Sequence, residues 1–424
     1  MDFCFVHAAD LHLDSPFTGI RTVSPKLAGQ LQDASLEAFD RLIYLEVHHG
    51  AAFLLLAGDI YDQSERGVRA QLRFLRGMQR LQSNKIPVYC AFGNHDHVEG
   101  DWPAVREWPG NVRFFPAEEV GVFEARTSGQ LLATIYGCSY GRRAMRENMA
   151  LHYHASAAER LHIGVLHCSL GARGEAGAYS DCTEEELARA GMDYWALGHF
   201  HQHDILRKGD PWIVYSGSLQ GRSLRPSEQG PKGAVVVRVR GQTITEVNFH
   251  ALDRVRFLPL SVDAGNMEDL AELREQLEAR AEVLYEECGG RHLVLRGQLT
   301  GRGPLHESLQ RAEAVSGLLA ELRAACEHRE PFLFWEDLRD QTRAELDRDA
   351  ILRRDDFSAE VIRCAQRLLQ QAEELAAFEK EQFRLLDKPR LRKWVETLPA
   401  DRTSDLVEEA TALALEMLEE GKRE

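Results

Sequence analysis

The chain has 424 residues, a net charge of −16 at pH 7 and a hydrophobic share of 44%. That length accommodates about two to three domains with a sizeable core. The acidic balance argues against broad, non-specific attraction to nucleic acid, although it leaves room for a local basic groove. No apolar stretch approaches the ~20 residues that cross a bilayer, and the N-terminus lacks the basic region of a signal peptide. We therefore expect a cytoplasmic protein whose eight cysteines are reduced, buried thiols.

The first part of the chain, residues 1–255, alternates short apolar runs with amphipathic helical stretches. This is the pattern of an α/β domain. The predicted helix faces are Leu31, Leu42 and Leu45 for one helix and Leu72, Leu75 and Leu81 for another.

Two further regions follow this α/β domain. Residues 256–336 predict a strand from Phe257 to Val262, a helix ending near Leu284, a strand around Val294 and a Leu-rich helix up to Glu327. They are expected to form a small α+β domain. Residues 337–424 are highly charged and helical. Their apolar stripes are Val361, Ala365, Leu368, Ala372 and Leu375, and then Leu406, Ala410, Leu413 and Met417. Such stripes are typical of packing faces, and a partner protein is a second candidate to cover them.

Five short polar signatures follow apolar runs in the first 201 residues. They are Asp10-Leu11-His12, Gly58-Asp59-Ile60-Tyr61-Asp62, Gly93-Asn94-His95-Asp96, Gly164-Val165-Leu166-His167 and Gly198-His199-Phe200-His201. Short apolar runs closed by Gly or Asp predict buried strands, and polar groups at strand ends converge at one edge of an α/β sheet. The converging carboxylates, imidazoles and single amide are the donor set of a two-metal hydrolase.

The signatures divide into two ligand sets. The first cation is assigned three ligands, Asp10, His12 and His201. The second cation is assigned Asn94, His167 and His199, and Asp59 is shared by both cations. Asp10 and His12 alternate on a strand end, so their side chains point to the same face. Cations ~3.5–4 Å apart would clamp the entering and leaving oxygens of an in-line displacement at phosphorus. Mixed imidazole and carboxylate ligands suit Mn²⁺, Fe or Zn²⁺ better than Mg²⁺.

Other residues near the signatures have predicted supporting roles. His95, beside Asn94, would face the substrate and either protonate a leaving alkoxide or stabilise the phosphorane. Asp96 is placed to orient His95 or to shape its loop. Asp14 and Asp62 are candidate acceptors that fix the ligand imidazoles.

Basic residues beyond the signatures are candidate phosphate or DNA contacts. They are Arg142, Arg143, Arg222 and Arg225. On charge alone, a solvated surface patch is an equally good interpretation. The chain has no GxxxxGK[ST] motif, so ATP binding through a P-loop is not expected.

With these motifs in order, residues 1–205 resemble a calcineurin-like metallophosphoesterase, and more closely the SbcD type of DNA-repair nuclease. The segments Phe5–Asp14, Gly217–Arg222 and Gly230–Gly233 resemble the bacterial YhaO branch. The resemblance implies a sheet sandwich flanked by helices, a Mn²⁺-dependent exonuclease, the two ligand sets above and His95 as the catalytic histidine. It also implies a small capping domain that shapes a DNA groove, and an SbcC-like coiled-coil ATPase that docks on the C-terminal helices. At the position of Asp62, archaeal and eukaryotic relatives have a second active-site histidine, whereas bacterial SbcD-type proteins have aspartate.

The resulting hypothesis is a metal-dependent DNA exonuclease in a repair complex, with a homodimer left open. A phosphatase or phosphodiesterase for small substrates is the first alternative, because an acidic surface suits it better. Such an enzyme would not need a helical tail. A regulatory subunit of the ATPase complex is the second alternative, although the intact set of ligand residues argues against a dead scaffold.

Overall fold

Strands and helices alternate along the chain. The computed structural model describes residues 2–15, 25–62, 67–98, 104–105, 107–117, 119–156, 161–171, 179–382 and 402–420. Within these ranges the strands are β1 (Asp2–Ala8), β2 (Leu54–Ala57), β3 (Val88–Ala91), β4 (Val112–Phe114), β5 (Gly121–Thr127), β6 (Gln130–Gly137), β7 (Leu161–His167), β8 (Tyr194–Gly198), β9 (Asp204–Arg207), β10 (Trp212–Tyr215), β11 (Gly233–Arg240), β12 (Thr243–Ala251), β13 (Val255–Asp263), β14 (His292–Thr300) and β15 (Leu333–Asp340). The helices are α1 (Pro25–His49), α2 (Val68–Ser83), α3 (Glu184–Arg189), α4 (Leu270–Glu287), α5 (Leu305–Leu309), α6 (Ala314–Cys326), α7 (Arg348–Leu352), α8 (Phe357–Gln370), α9 (Ala372–Gln382) and α10 (Arg402–Glu420), with short 3₁₀ turns at Met149–His152 and Pro226–Glu228.

Two mixed sheets of six described strands form the α/β part. The first has the order β12-β11-β1-β2-β3-β4, and the second has the order β5-β6-β7-β8-β10-β9. Strands β1 to β4 run parallel to one another, as do β6, β7, β8 and β10. The carboxyl ends of the central strands in each sheet therefore lie along one edge.

The two sheets pack face to face because the central strands are apolar on both sides. In the first sheet, Phe5 and Leu55 point into a core shared with Ile163 of the second sheet. Their neighbours Val6 and Leu56 point the other way and pack against helices α1 and α2. This alternation follows from the two-residue period of a strand. The predicted sheet sandwich flanked by helices is confirmed.

Helix α2 buries a face that differs from the predicted one. Phe74, Met78 and Leu81 are fully buried, whereas Leu72 and Leu75 are only half-buried. Leu81 was assigned correctly, but the prediction for Leu72 and Leu75 is wrong. Spacings of four and three residues place Phe74, Met78 and Leu81 on one helical face, and the larger aromatic side chain determines which face is inward.

The described chain forms two compact units. The first contains residues 1–260, 277–297 and 318–338, and the second contains 261–276, 298–317 and 339–424. The predicted boundaries after residues 255 and 336 stay predictions. A three-stranded sheet has the order β13-β14-β15. Its strand β15 was not predicted, and it extends to Asp340, where the sequence favoured helix from Asp337 onward.

In the second unit, helices α8 and α10 turn their apolar stripes toward each other. Val361 and Leu368 of α8 and Leu406 of α10 line one apolar cavity of about 550 Å³. Leu413 and Met417, further along α10, are 47% and 68% exposed. The stripes therefore serve partly as packing faces and partly as exposed surface.

Among the described residues, no helix has both the length and the apolar character needed to cross a membrane. All eight cysteines are free thiols, as expected. Six of them are buried, but Cys326 is only half-buried and Cys364 is exposed, so the expectation of burial is wrong for these two.

Candidate metal centre

The ends of five strands bring the polar signatures together. Asp10 and His12 follow β1, Asp59 follows β2, and His167 is the last residue of β7. Asn94 and His95 lie just beyond β3, and His199 and His201 lie just beyond β8. Because these strands are parallel neighbours in their sheets, their carboxyl ends place all of these side chains at one edge of the sandwich.

Unusual backbone conformations aim the side chains at this edge. Asp10, His12 and Asp59 have positive φ values of 51°, 42° and 51°, and His199 has a φ of 103°. Residues other than glycine adopt this region only at a cost, and such strain clusters at functional sites. A Cβ at Gly58, which has a φ of +92°, would overlap the ring of His167. Glycine therefore lets the Asp59 turn approach His167 closely.

Asp10, His12 and His201 form the first group of candidate ligands. Their ligand atoms lie within 4.8 Å of one another. The Nε2 atoms of His12 and His201 are 3.1 Å apart. Glu228 Oε1 lies 2.6 Å from His201 Nδ1, and Asp62 Oδ1 lies 2.9 Å from His12 Nδ1. Glu228 accepts a hydrogen bond from His201 Nδ1, whereas Asp62 is in close ion-pair contact with His12 Nδ1 without a well-angled hydrogen bond. Both imidazoles have a carboxylate on the Nδ1 side, and their Nε2 atoms face each other.

Asp10, Asp59 and His167 form the second group, and their ligand atoms also lie within 4.8 Å of one another. His167 Nδ1 donates to the carbonyl oxygen of Ala57 at 3.0 Å, which turns Nε2 toward Asn94 Oδ1 at 2.9 Å. Asp59 Oδ2 is 3.4 Å from Nε2 of His167. The same oxygen is 3.8 Å from Nε2 of His12 in the first group. Asp59 Oδ2 is therefore within 4 Å of an imidazole of each group, as a bridging ligand must be, and Asp10 belongs to both groups.

Buried carboxylates give the site an excess of negative charge. Asp10 and Asp59 are 1% and 2% exposed. Burial raises the pKa of Asp10. Burial also opposes ionisation of Asp59, but the charges of His167 and His12 outweigh it and bring its pKa below the usual range. Burial disfavours the charged form of His167, yet the carboxylates of Asp59 and Asp10 raise its pKa to about 9. Burial, followed by the Arg222 charge, lowers the pKa of His12 to about 3, so this imidazole is neutral.

These residues fit a pair of divalent cations. Lone pairs of two imidazoles face each other across 3.1 Å, two carboxylates are buried, and each ligand imidazole has an acceptor on its other nitrogen. Asp10, His12, His201 and Asp59 would hold one cation, and Asp59, Asn94 and His167 would hold the other. Bound divalent cations would supply Lewis acidity toward a phosphoryl group and lower the pKa of water.

His199 belongs to this site but stands slightly apart from the groups. Its backbone N–H donates to both carboxylate oxygens of Asp10, at 3.1 and 3.0 Å. Its ring is edge-on to that of His167, with centroids 5.2 Å apart, and tilts against Tyr179 at 4.7 Å. In the described part of the chain, its ring nitrogens are not among the atoms that group within 4.8 Å. The predicted role of His199 as a ligand stays a prediction.

His95 lies at the open side of the site, with its side chain 38% exposed. Its Nδ1 donates to the carbonyl oxygen of Asp62 at 2.7 Å, and its backbone N–H donates to Asp59 Oδ1 at 2.9 Å. Asp96 was predicted either to orient His95 or to shape its loop. The Asp96 carboxylate accepts from the backbone N–H groups of Ile60 and Gly93, both at 2.7 Å, and so shapes the loop, the second of these roles.

Of the two carboxylates predicted to fix ligand imidazoles, Asp62 contacts one and Asp14 does not. Asp62 lies beside His12, as described above. Within the described residues, the buried Oδ1 of Asp14 has no hydrogen-bond partner, and its backbone N–H donates to Ser35. Asp14 has a positive φ of 62°, and its Oδ2 lies beside Gly67, the residue before helix α2. Glu228, which the sequence analysis missed, takes the role expected of Asp14.

Arg222 and Lys232 are bound inside the protein instead of lying on an open surface. The Arg222 guanidinium pairs with Asp62 at 2.8 Å and with Glu228 at 3.4 Å. Lys232, which is 1% exposed, donates to the carbonyl oxygens of His201 and Ser227. Burial lowers the pKa of Lys232 to about 8.

The other predicted phosphate contacts are exposed. Arg142, Arg143 and Arg225 all lie at the surface. Arg142, together with Arg146, lines a cavity of about 690 Å³ formed by residues 141–149. The backbone of this loop accepts a hydrogen bond from the N–H of Ser180, next to Tyr179, at 2.6 Å. The loop is therefore attached to the segment that packs on His199.

Comparisons with known proteins agree with this geometry. Residues 4–203 match the family described as calcineurin-like phosphoesterase. Residues 257–343 match the middle domain of metallophosphoesterase YhaO. The second match covers the three strands β13, β14 and β15.

Individual relatives extend over most of the chain. The metallophosphoesterase YhaO of Bacillus subtilis is 35% identical over 332 residues, which are 78% of this chain and 78% of the relative. The DNA double-strand break repair protein Mre11 of Halobacterium salinarum is 26% identical, over 65% of this chain and 67% of the relative. Mre11 of Sulfurisphaera tokodaii is 23% identical, over 65% of this chain and 70% of the relative. These matches show that the chain belongs to the calcineurin-like metallophosphoesterase family.

Proposed function

We propose that this metallophosphoesterase is a DNA exonuclease that hydrolyses phosphodiesters with two divalent cations. The observation that carries the proposal is the position of Asp59 Oδ2, 3.4 Å from His167 Nε2 and 3.8 Å from His12 Nε2. A carboxylate shared by two imidazole-containing ligand sets is the arrangement required for two-metal hydrolysis of phosphate esters.

Asp59 and His95 have separate roles in such a reaction. Asp59 joins the two ligand sets, and its Oδ1 also accepts from the backbone N–H of His95, which fixes the His95 loop relative to the ligands. His95 Nδ1 is bound to the Asp62 carbonyl, so its Nε2 is the nitrogen left to face a substrate. That nitrogen is in a position to deliver a proton to the leaving oxygen.

DNA as the substrate is supported by relatives and by the exposed basic residues. The Mre11 proteins named above are double-strand break repair proteins by their names. Arg142, Arg143 and Arg225 are exposed, and such side chains bind a phosphate backbone without reading its sequence. We include a role in DNA repair in the proposal.

Mn²⁺ is the cation we propose. The donor set combines neutral imidazole nitrogens with carboxylate and amide oxygens, which suits Mn²⁺ better than the all-oxygen preference of Mg²⁺. A cytoplasmic location is part of the proposal and is consistent with eight free thiols, since oxidising compartments favour disulfides.

An SbcC-like coiled-coil ATPase is the proposed partner. Leu413 and Met417 on α10 are exposed apolar side chains next to the apolar cavity between α8 and α10. An amphipathic partner helix would cover such a surface. Replacing both residues with aspartate in the full chain should abolish co-purification with the ATPase, whereas Glu408→Gln, on the same exposed helix, should not. Unchanged complex formation by the double variant would refute the docking role.

The decisive experiment for the enzyme is degradation of end-labelled linear duplex DNA by the purified chain with Mn²⁺, with Asp59→Asn as the control. Cleavage that disappears in the variant supports the nuclease and shows its polarity from the product ladder. Turnover of a small phosphodiester that depends on Asp59, without any DNA cleavage in the presence or absence of the ATPase, would overturn DNA as the substrate. It would favour the small-substrate enzyme.

A further inference from the structure

Arg222 connects two carboxylates that lie behind the metal centre. Its Nη1 is 2.8 Å from Asp62 Oδ1 and also donates to Ser15 Oγ at 2.9 Å. Its Nη2 is 3.4 Å from Glu228 Oε1, and its backbone N–H donates to Glu228 Oε2 at 3.1 Å. The side chains of Arg222, Asp62 and Glu228 are 18%, 22% and 7% exposed. The guanidinium is therefore held in one orientation by groups that are mostly shielded from water.

Each of these carboxylates holds a different imidazole of the same ligand group. Asp62 Oδ1 lies 2.9 Å from Nδ1 of His12, in an ion-pair contact without a well-angled hydrogen bond, and Glu228 Oε1 is hydrogen-bonded to Nδ1 of His201 at 2.6 Å. On their far sides, the two imidazoles present their Nε2 atoms to each other at 3.1 Å. The five side chains thus form a closed ring in which Arg222 lies opposite the point where a cation would bind. A rotation of either carboxylate would turn one imidazole away from that point.

Binding of a phosphate group is the other role a basic residue has in such a site, and from sequence it was one of two equal interpretations of Arg222, beside a solvated surface charge. The geometry argues against phosphate binding by Arg222. Nη1 donates to Asp62 and Ser15, Nη2 points at Glu228, and Nε is buried without a hydrogen-bond partner among the described residues. A phosphate would have to displace the carboxylates that the imidazoles require. Arg225, three residues later and exposed, has no such obstacle.

We infer that Arg222 is a positioning residue that locks Asp62 and Glu228 in place and thereby sets the affinity of the His12–His201 site for its cation. The planar guanidinium has donors fixed in a fork, so one side chain can span two carboxylates. A lysine at this position is a point charge and can hold only one of them firmly. The inference rests on the metal centre of the proposed function and assigns a role to a residue outside its ligand set.

The test is calorimetric titration of the metal-free protein with Mn²⁺, comparing wild type, Arg222→Ala, Arg222→Lys and the matched control Arg225→Ala. Residues that hold the second nitrogen of a metal-binding imidazole contribute a factor of about 10–100 to the affinity for the metal. Arg222→Ala should weaken one of the two binding events by about that factor and leave the other unchanged. The Mn²⁺ affinity of Arg222→Lys should lie between those of Arg222→Ala and the wild type. The Mn²⁺ affinity of Arg225→Ala should equal that of the wild type.

A second measurement separates positioning from substrate binding. With Mn²⁺ at saturation, Arg222→Ala should keep the wild-type KM for duplex DNA and the wild-type dependence on salt. A phosphate contact would instead raise KM and reduce the salt slope by about 1, with Mn²⁺ affinity unchanged. That result would overturn the inference.

Coupling to Asp62 gives a third readout. Asp62→Asn and Arg222→Ala should have less than additive effects on Mn²⁺ affinity, because both remove the contact between Asp62 and Arg222. Additive effects would contradict the closed ring of five side chains. Circular dichroism melts identify any variant that fails to fold, and the milder Arg222→Lys then carries the test. Because the titration needs no DNA cleavage, an inactive wild type would refute the nuclease and leave this inference testable.

Discussion

The replacement of His95 by glutamine tests whether this residue transfers a proton or only stabilises charge. Its Nδ1 is fixed by the Asp62 carbonyl at 2.7 Å, and the side chain is 38% exposed at the open side of the site. Glutamine can still donate a hydrogen bond from a similar position, but it cannot transfer a proton to a leaving group. The substitution therefore removes acid catalysis while it leaves a donor in the site.

The size of the effect follows from what a positioned general acid contributes. Acid–base catalysis by one side chain is worth about 10²–10⁴-fold. At 1.36 kcal/mol for each factor of ten, this corresponds to about 2.7–5.5 kcal/mol of barrier. The loss should depend on the leaving group, because a nitrophenolate leaves without a proton and an alkoxide does not. We expect less than about tenfold loss for a nitrophenyl phosphodiester and a loss within the full range for a DNA 3′-alkoxide.

The assay compares kcat for these two leaving groups in wild type, His95→Gln and His95→Ala, together with Mn²⁺ content by elemental analysis. Both variants should keep the wild-type Mn²⁺ content, because neither of the two ligand groups described above contains His95. A third group of His12, Asp62 and His95 also has its ligand atoms within 4.8 Å of one another, so the metal content tests whether that group binds an ion. An equal loss for both leaving groups would show that His95 stabilises charge instead of donating a proton. Loss of a metal ion from either variant would show that His95 is a metal ligand.

Three further predictions concern ligands and stability. Asp59→Asn should abolish hydrolysis and leave the far-UV circular dichroism spectrum unchanged; retained turnover would rule out Asp59 as the bridging ligand. Glu228→Gln should weaken Mn²⁺ binding about 10–100-fold in a chelator competition, because a neutral amide holds the His201 Nδ1 proton less strongly, and the exposed Glu246→Gln should have no effect. Glu46→Met should stabilise the protein. The Glu46 carboxyl is fully buried, and neither of its oxygens has a hydrogen-bond partner in the part of the chain that the structure describes; burial raises its pKa well above the ordinary value. A raised pKa favours folding at low pH, and that contribution is lost at about 1.4 kcal/mol per pH unit between the unfolded and folded pKa values. The stabilisation by Glu46→Met, measured by urea unfolding, should therefore grow from pH 5 to pH 8, and a pH-independent difference would contradict it.

The strand-end ligands were predictable because their signal is local. An apolar run that ends in Gly or Asp fixes both the strand and the direction in which its polar end points. Parallel pairing then brings Asp10 next to Asp59 in the first sheet and His167 next to His199 in the second. The face-to-face packing of the two sheets joins the two pairs. The same reasoning indicated His12 and His201. The buried face of α2 was less predictable because Leu72 and Phe74 are both apolar, and only packing against α1 decides between neighbouring faces.

Glu228 and Arg222, which lie behind the ligand imidazoles, were not predictable because the residues they contact are distant in the sequence. Glu228 lies in a short 3₁₀ turn 27 residues from His201, and Arg222 is 160 residues from Asp62. Neither position has a periodic pattern around it, so a loop acid or arginine looks like any solvated charge. One general rule would have narrowed the search: each ligand imidazole needs an acceptor on its second nitrogen. That rule demands a carboxylate or a carbonyl for His201, although it does not say which one.

The aspartate at position 62 has a physical explanation in the same network. Its carboxylate receives the Ser15 hydroxyl at 2.9 Å and the Arg222 guanidinium at 2.8 Å, and it lies 2.9 Å from His12 Nδ1. Three donors converge on one side chain, and an ionised carboxylate has about four lone-pair sites to satisfy them. A neutral imidazole has a single acceptor nitrogen and would leave two buried donors unpaired, including a charged one, which is strongly destabilising. Asp62 and Arg222 are therefore a matched pair, and a histidine at position 62 requires a different partner at position 222.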